Sequence, residues 1–495
     1  MSVSHDPTRT GVRDSPLLAQ QYADKALLRA AGAPLVRGNG VRILCDAAEN
    51  FPAWLAAIRA ARRSIFFECY IIDDDRVGRE FIEALAERAR AGVQVRVIYD
   101  WLGTSGASWI SETLTPAGAE VRCFNPPSLA SPFGWISRDH RKMITADGAV
   151  GFVSGLCVSA KWLGDAARGI EPWRDTGVEI RGPAVADLED AFAQVWEAIG
   201  TPLSEDVFTA PEAIGAAGEV GVRVVASAPR SAEIFRIDQF IAAVATERLW
   251  LTDAYFVGTT PYIQALRSAA RDGVDVRLLV PGSSDIPILA PISRAGYRPL
   301  LEAGVRVFEW NGTMLHAKSA VADNRWARVG STNLNIASLH NNYELDVSVE
   351  DEAFAGKMAD IYAHDLERAT EIVLNPRNRV RAAGPVRRPR HPKRARSGSA
   401  GRAAAGALSI GSAVGAVLTN RRPLGPAEAT LLLYVGLTLL GVAVVTLLWP
   451  RLLAVPLAAL AALLAATTLA RSYRLRRARS SGAREGGGEQ SASEP

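Results

Sequence analysis

From residue 41 onward the apolar positions change their period several times. "VRILCD" reads as a strand, "AWLAAIRAARR" spaces its apolar residues as an amphipathic helix, and the run "SIFFECYII" reads as a buried strand. After "DDDRVG" comes a second helical pattern, "REFIEALAERARAG", stopped by Gly92, and then the strand "VQVRVIYD". Strands and helices alternating over short links predict an α/β fold built in layers. From residue 221 the order returns: strand "VRVVAS", helix "AEIFRIDQFIAAVATE", strand "RLWLTDAYFV", helix "PYIQALRSAARDG", strand "VDVRLLVPG". "RARAGVQVRVIYD" and "SAARDGVDVRLLVPG" match closely enough to imply a tandem duplication. The expectation is two α/β domains related by a pseudo-twofold, over 39–205 and 218–378, after an N-terminal extension, 1–38.

The far end has a different pattern. Residues 379–402, rich in Arg, Pro, Gly and Ser, read as a basic linker to a membrane region, 403–479. Within it, 429–449 and 452–470 are free of charge and about as long as the ~20 residues a spanning helix needs. They form a candidate transmembrane helical hairpin. Both outer flanks are basic ("NRR" and "RSYRLRRAR"), which puts both ends, and the α/β domains, on the cytoplasmic side of the inner membrane. Residues 403–419 are mildly apolar, and a third span there would reverse that topology. The last residues, 480–495, read as a disordered tail. The N-terminus, "MSVSHDPTRTGVRDSP", lacks the apolar stretch of a secretory signal.

Charge follows the same division. Residues 381–495 carry 17 Lys and Arg against 4 Asp and Glu, whereas the remainder carries 39 against 48. An acidic body argues against a general nucleic-acid binder, which needs a basic surface for phosphates. The four cysteines, Cys45, Cys69, Cys123 and Cys157, show no CxxC spacing, so neither a zinc site nor a disulfide scaffold is expected.

The chemistry lies in "HRKMITAD" and "HAKSAVAD". They place His140, Lys142 and Asp147, and again His316, Lys318 and Asp323, at identical offsets, in a chain with six His and six Lys. Residues two apart on a strand share a face, so each His and Lys pair is expected in one pocket. An imidazole beside an ammonium suits an anionic phosphorus centre: His attacks or carries a proton near neutral pH, and Lys holds non-bridging oxygens. Arg outnumbers Lys about eightfold, yet both motifs keep Lys, a compact point charge rather than a fork.

With these motifs the chain resembles the phospholipase D superfamily, whose hallmark is two copies of His-x-Lys-x4-Asp-x6-Gly-Ser/Gly-x-Asn. The second copy, "HAKSAVADNRWARVGSTN", matches throughout, with Gly330, Ser331 and Asn333 in place. Within the superfamily it is most similar to bacterial cardiolipin synthases lacking N-terminal spanning helices, through "DAYFVGTTPYIQALRSAARDGVDVRLLVPGSSD", "LLEAGVRVFEWNGTMLHAK", and "GSTNLN" followed by "NNYE". The resemblance spans roughly residues 40–375 and implies two phospholipase D-like α/β domains. It implies His140 as nucleophile, giving a phosphohistidine, and His316 as acid and base. Lys142, Lys318, Ser331, Asn333 and, on the first side, Ser154 would hold phosphate oxygens. Asp175 in "WRDT" and Glu344 in "NNYE" would orient the histidines, while Asp147 and Asp323, although counted with the catalytic motif, would brace the fold. No metal or other cofactor is implied. Two positions depart from the pattern: "SGLC" gives Ser154, Gly155 and Cys157 where Gly-Gly-x-Asn is usual, and Asn335 stands where the synthases usually carry Asp.

Function follows as an expectation. A membrane-bound phosphatidyltransferase would pass the phosphatidyl group of phosphatidylglycerol to a second phospholipid, its partners being phospholipids and the membrane rather than nucleic acid. A phospholipase D releasing phosphatidic acid differs only in using water as acceptor, and a non-catalytic membrane scaffold is the alternative from another class. The apolar insertions "PPSLASPFGW" and "DIPILAPI", each ahead of a motif, are candidates for a lipid entrance.

Overall fold

The computed structural model describes residues 16–104, 107–127, 136–286, 289–374 and 380–382, with seven single positions: Leu437, Leu440, Val444, Leu447, Leu448, Val455 and Ala462. The chain begins with α1 (Pro16–Ala31), β1 (Val36–Cys45), α2 (Asp46–Ala60), β2 (Ser64–Cys69), α3 (Arg76–Arg90), β3 (Gln94–Asp100), α4 (Ser108–Leu114) and β4 (Glu120–Phe124). It continues through β5 (Arg138–Asp139), β6 (Lys142–Ala146), β7 (Val150–Ser154), α5 (Ala160–Leu163), β8 (Thr176–Arg181) and α6 (Ala184–Ala198). A second series follows: β9 (Val220–Ser227), α7 (Glu233–Val244), β10 (Arg248–Thr252), α8 (Thr260–Arg271), β11 (Asp275–Pro281), α9 (Leu289–Leu301) and β12 (Arg306–Trp310). It closes with β13 (Ser319–Ala322), β14 (Trp326–Gly330), α10 (Ile336–His340), β15 (Asn342–Glu350), α11 (Glu352–Glu367), β16 (Ala369–Leu374) and β17 (Val380–Ala382).

The architecture is mixed α/β, and its strand order repeats. In the first half the order is β4-β3-β2-β6-β7-β8-β1, with β2, β3 and β4 parallel and the rest antiparallel. In the second it is β12-β11-β10-β13-β14-β15-β9, with β16 and β17 added beyond β12. Register repeats as well: Ile65 lies opposite Ala146 and Leu249 opposite Ala322, each alanine four residues past its motif lysine. The two sheets join edge to edge where β1 runs antiparallel to β9.

Both faces of the sheets are covered, which is why their central strands read as continuous apolar runs. On the outer face of the first sheet, Phe51, Trp54, Phe81 and Leu85 of α2 and α3 pack on Ile65 and Phe67. Ile237, Tyr262 and Leu266 of α7 and α8 do the same for Leu249 and Leu251. The inner faces share one core, in which Phe192 and Trp196 of α6 and Ala355, Met358 and Tyr362 of α11 lie among residues of both sheets. Such burial, worth about 1.5–3 kcal/mol for each large apolar side chain, holds the halves in fixed relation.

Two expected strands end early, and this builds the site. "RLWLTDAYFV" leaves the sheet after Thr252 because the Asp253 carboxylate accepts from the backbone N–H groups of Tyr255 (2.9 Å) and Leu334 (2.6 Å), turning the chain. "SIFFECYII" ends likewise at Cys69. The residues beyond become walls of a cavity. The expected hairpin at 429–449 and 452–470 lies outside the described residues except for the seven single positions. Among the described residues, no helix is long and apolar enough to cross a membrane.

Candidate active site

Each motif enters the site along a strand from the opposite half. β5 runs parallel to the start of β15, with Asp139 opposite Tyr343, and the His140 N–H donates to the Tyr343 carbonyl at 2.9 Å. The mirror arrangement pairs Arg174 with Leu315: the Arg174 N–H donates to Met314 O (2.8 Å) and the His316 N–H to Arg174 O (2.7 Å). The histidines therefore precede β6 and β13 rather than standing on them, contrary to the expectation that His and Lys share one strand. Their backbones are fixed by the other half instead.

This exchange sets the side chains. Nδ1 of His140 lies 2.8 Å from Glu344 Oε2, and Nδ1 of His316 lies 2.8 Å from Asp175 Oδ2. A carboxylate at Nδ1 fixes the proton there and leaves Nε2 with a lone pair for chemistry. The carboxylates are themselves held. Glu344 accepts from Ser331 Oγ at 2.6 Å and Asn342 Nδ2 at 3.0 Å, while Asp175 accepts from Trp162 Nε1 and the Thr176 N–H, each at 2.9 Å. Burial raises both acids, but for Asp175 the His316 contact, the Lys318 charge and the Trp162 indole outweigh it. For Glu344 the His140, Lys142 and Ser331 contacts do the same, so both stay below the usual carboxylate range.

The lysines stand behind the histidines. Lys142 Nζ donates to the His140 carbonyl and lies 5.0 Å from the Tyr70 ring centre; Lys318 Nζ donates to the His316 carbonyl and lies 3.0 Å from His316 Nε2. Burial drives His140 down to about 4, with Lys142 and Lys318 adding to the shift against Glu344. Burial and the Lys318 charge hold His316 down to about 3, and burial brings Lys318 down to about 8. At neutral pH both imidazoles are therefore uncharged. Each is ready to act as nucleophile or base.

Both histidines line one cavity of about 150 Å³. Its aromatic walls pack on them: Tyr70 on His140 (ring centres 4.9 Å apart), and Trp162 (5.2 Å), Trp173 and Tyr255 (5.7 Å each) on His316. Ile71, Ile136, Val257, Ile286 and Leu289 make part of the lining apolar. Ile286 and Leu289 come from the insertion "DIPILAPI"; most of "PPSLASPFGW" lies outside the described residues.

The other expected residues fall into two groups. Asn333 lines the cavity, and its buried Oδ1 has no hydrogen-bond partner among the described residues, so that oxygen is open to a donor on a ligand. Ser331 and Ser154 are fully buried and committed elsewhere: Ser331 to Glu344 and the Leu345 N–H, Ser154 to the Leu156 N–H. Asp147 and Asp323 sit at turns with positive φ, 57° and 47°, outside the cavity. Asp147 accepts from the N–H groups of Arg62, Arg63 and Ser64, and Asp323 from those of Thr246, Glu247 and Arg248, fastening the starts of β2 and β10. Asn335 caps α10 through the Ala337 and Ser338 N–H groups and donates to Tyr255 O at 3.1 Å. Cys157 lines the cavity on the first side. Among the described residues, no group of three or more His, Cys, Asp or Glu is arranged to hold a metal ion.

Sequence reasoning missed Tyr70, Tyr255, Trp162, Trp173 and Asn342. Trp173 and Asn342 adjoin the two acids in "WRDT" and "NNYE", so their neighbours were within reach; the tyrosines were hidden inside expected strands.

Comparison with known proteins bears on the family. Residues 239–366 match the family described as cardiolipin synthase, PLD-like domain. A cardiolipin synthase of Alkalihalophilus pseudofirmus is 33% identical over 346 residues, 68% of each chain. A cardiolipin synthase A of Pseudomonas aeruginosa is 35% identical over 363 residues, covering 72% of this chain and 73% of that one. In fold the chain is similar to the phosphatidylserine synthase of Haemophilus influenzae Rd KW20, with a TM-score of 0.56 at 13% identity, over 71% of this chain and 92% of that one. With curated cardiolipin synthases 33% and 35% identical over 68% and 72% of its length, the chain belongs to the cardiolipin synthase family of phospholipase D-like proteins.

Proposed function

We propose that the chain is a membrane-bound phosphatidyltransferase that moves a phosphatidyl group from phosphatidylglycerol to the hydroxyl of a second phospholipid. The observation that carries this reading is the pair of motif histidines in one cavity, each engaged at Nδ1 by a carboxylate of the other half. Nε2 of His140 attacks phosphorus, the bond to the glycerol oxygen breaks, and His316 gives that oxygen its proton. His316, now neutral, removes the proton of the acceptor hydroxyl, whose oxygen displaces His140. Lys142, Lys318 and the Asn333 amide stabilise the phosphorane oxygens. An anionic phosphodiester beside the two ammonium groups offsets the charge that keeps His316 neutral, so its protonation follows substrate binding. Asp175, Glu344 and Ser331 orient the histidines, and Asp147 and Asp323 brace the fold.

The domains proposed are residues 39–205 and 218–378, related by a pseudo-twofold and followed by a basic linker and a membrane hairpin. Leu437, Leu440, Val444, Leu447, Leu448 and Val455, helical positions within the apolar stretches, are all exposed, which supports burial of that region in lipid. The basic flanks would hold anionic headgroups near the site and keep the catalytic domains at the cytoplasmic face of the inner membrane.

The test is to incubate membranes carrying the protein with isotope-labelled phosphatidylglycerol and identify the products by mass spectrometry. Labelled cardiolipin with one glycerol released per transfer supports the reading. Phosphatidic acid alone would make the enzyme a hydrolase and overturn it.

A further inference from the structure

The two halves differ at one paired position, and the difference faces the active site. Cys69 lies opposite Lys142 across β2 and β6, the place that Asp253 takes in the second half, one residue past the Thr252–Ser319 pair. Cys157 follows His140 at the offset at which Asn333 follows His316. The carboxylate and amide of the second half are thus replaced in the first by two thiols. Both are buried, and the segment carrying Cys157 runs beside the end of β2: the Val158 N–H donates to Ile71 O at 3.1 Å, the same carbonyl to which Cys69 Sγ donates at 3.1 Å. Cys157 lines the cavity.

Their surroundings make the thiols unequal. Burial opposes ionisation of Cys157, but the Cys69 hydrogen bond and the charges of Lys142 and Lys318 outweigh it and hold the thiol below its ordinary value. Cys69, buried beside that sulfur, is pushed well up. Cys157, the more readily ionised of the two, lines the cavity, and Cys69 is the neighbour able to resolve whatever forms on it.

We propose that Cys157 and Cys69 form an oxidisable dithiol in the wall of the active site, converted to a disulfide by hydroperoxides. The Cys157 thiolate attacks a peroxide oxygen and the O–O bond breaks, leaving a sulfenic acid and, from hydrogen peroxide, hydroxide. Cys69 sulfur then attacks the sulfenic sulfur, its proton leaving with the hydroxyl as water. Two thiols lose two electrons and the peroxide is reduced to two waters. The new bond pulls the end of β2 toward Cys157 and with it Tyr70, whose ring packs on His140. Phosphatidyl transfer is switched off until a dithiol reductant exchanges with the bond, returning both cysteines to thiols and leaving as its own disulfide. This consequence rests on the site proposed above, whereas the disulfide itself does not.

The experiment treats membranes containing the full chain with hydrogen peroxide, blocks remaining thiols with N-ethylmaleimide, and maps peptides by mass spectrometry, with transfer assayed before and after dithiothreitol. The expected result is a Cys69–Cys157 linked peptide, activity lost in proportion to its yield, and recovery on reduction. Cys157→Asn should abolish both the linkage and the peroxide sensitivity relative to its own untreated rate. Cys69→Ser should turn reversible loss into loss that dithiothreitol no longer fully restores. A Cys157 fully alkylated after peroxide, with no linked peptide, would overturn the proposal, as would equal sensitivity of Cys157→Asn. If the protein has no transferase activity at all, the peptide map still decides the dithiol separately.

Discussion

Nδ1 of His140 lies 2.8 Å from the carboxylate of Glu344, 204 residues further along the chain and in the opposite half. His316 and Asp175 repeat the relation with the halves exchanged. Neither half holds a complete histidine–carboxylate pair, since each supplies the histidine that the other half's acid contacts.

Glu344→Gln should therefore lower kcat about 10²- to 10⁴-fold with little change in KM. The amide no longer favours the Nδ1–H tautomer or supports a positive imidazole during transfer. Asp175→Asn should behave similarly through His316. Steady-state kinetics on membranes with equal amounts of folded protein checks this; a change confined to KM would contradict it.

Gly155 gives a test that leaves both histidines and both acids in the sequence. A Cβ at this position would stand 2.3 Å from Oδ1 of Asp175, a carboxylate held by the Thr176 N–H at Oδ1 and by Trp162 and His316 at Oδ2. Gly155→Ala must displace the carboxylate, so kcat should drop by at least about tenfold while circular dichroism stays unchanged. Full activity would mean that Asp175 does not need its observed position.

The alkaline limb of the rate profile should report Lys318. Burial brings its ammonium down to about 8, so in the free enzyme the charge is lost as pH rises through that value. Phosphodiester binding weakens in the same range, and kcat/KM should fall above about pH 8. A profile flat to pH 10 would remove Lys318 from substrate binding.

Asp147 and Asp323 should matter to stability rather than to chemistry. Each carboxylate accepts three backbone N–H groups at the start of a strand, and alanine leaves those donors to solvent. Loss of about 1–3 kcal/mol is expected, with kcat of the folded fraction near normal. Thermal unfolding and single-turnover assays separate the two effects.

Much of this was legible in the sequence because the relevant signals are periodic or local. The repeat of "GVQVRVIYD" and "GVDVRLLVPG" announced two like sheets, and a fixed His-x-Lys-x4-Asp spacing marked both motifs. What escaped was long-range. That Glu344 serves His140 rather than His316 depends on β5 pairing with β15, a contact of two residues with no signature in either segment. Ser331 reads as a phosphate ligand from the motif, yet its hydroxyl is drawn inward by Glu344. Tyr70 and Tyr255 sit in apolar runs that look like continuing strand, and only the carboxylate turn at Asp253 shows why the second run leaves the sheet.

Covalent transfer through a single two-histidine site is tested by trapping the intermediate. Membranes carrying the protein are mixed with phosphatidylglycerol labelled with ³²P at its phosphorus, quenched in alkali within one turnover, and digested for peptide mapping. Label is expected on the peptide containing His140 and absent from His140→Ala. Label on the His316 peptide, or product formation with no labelled protein at any time, would contradict it.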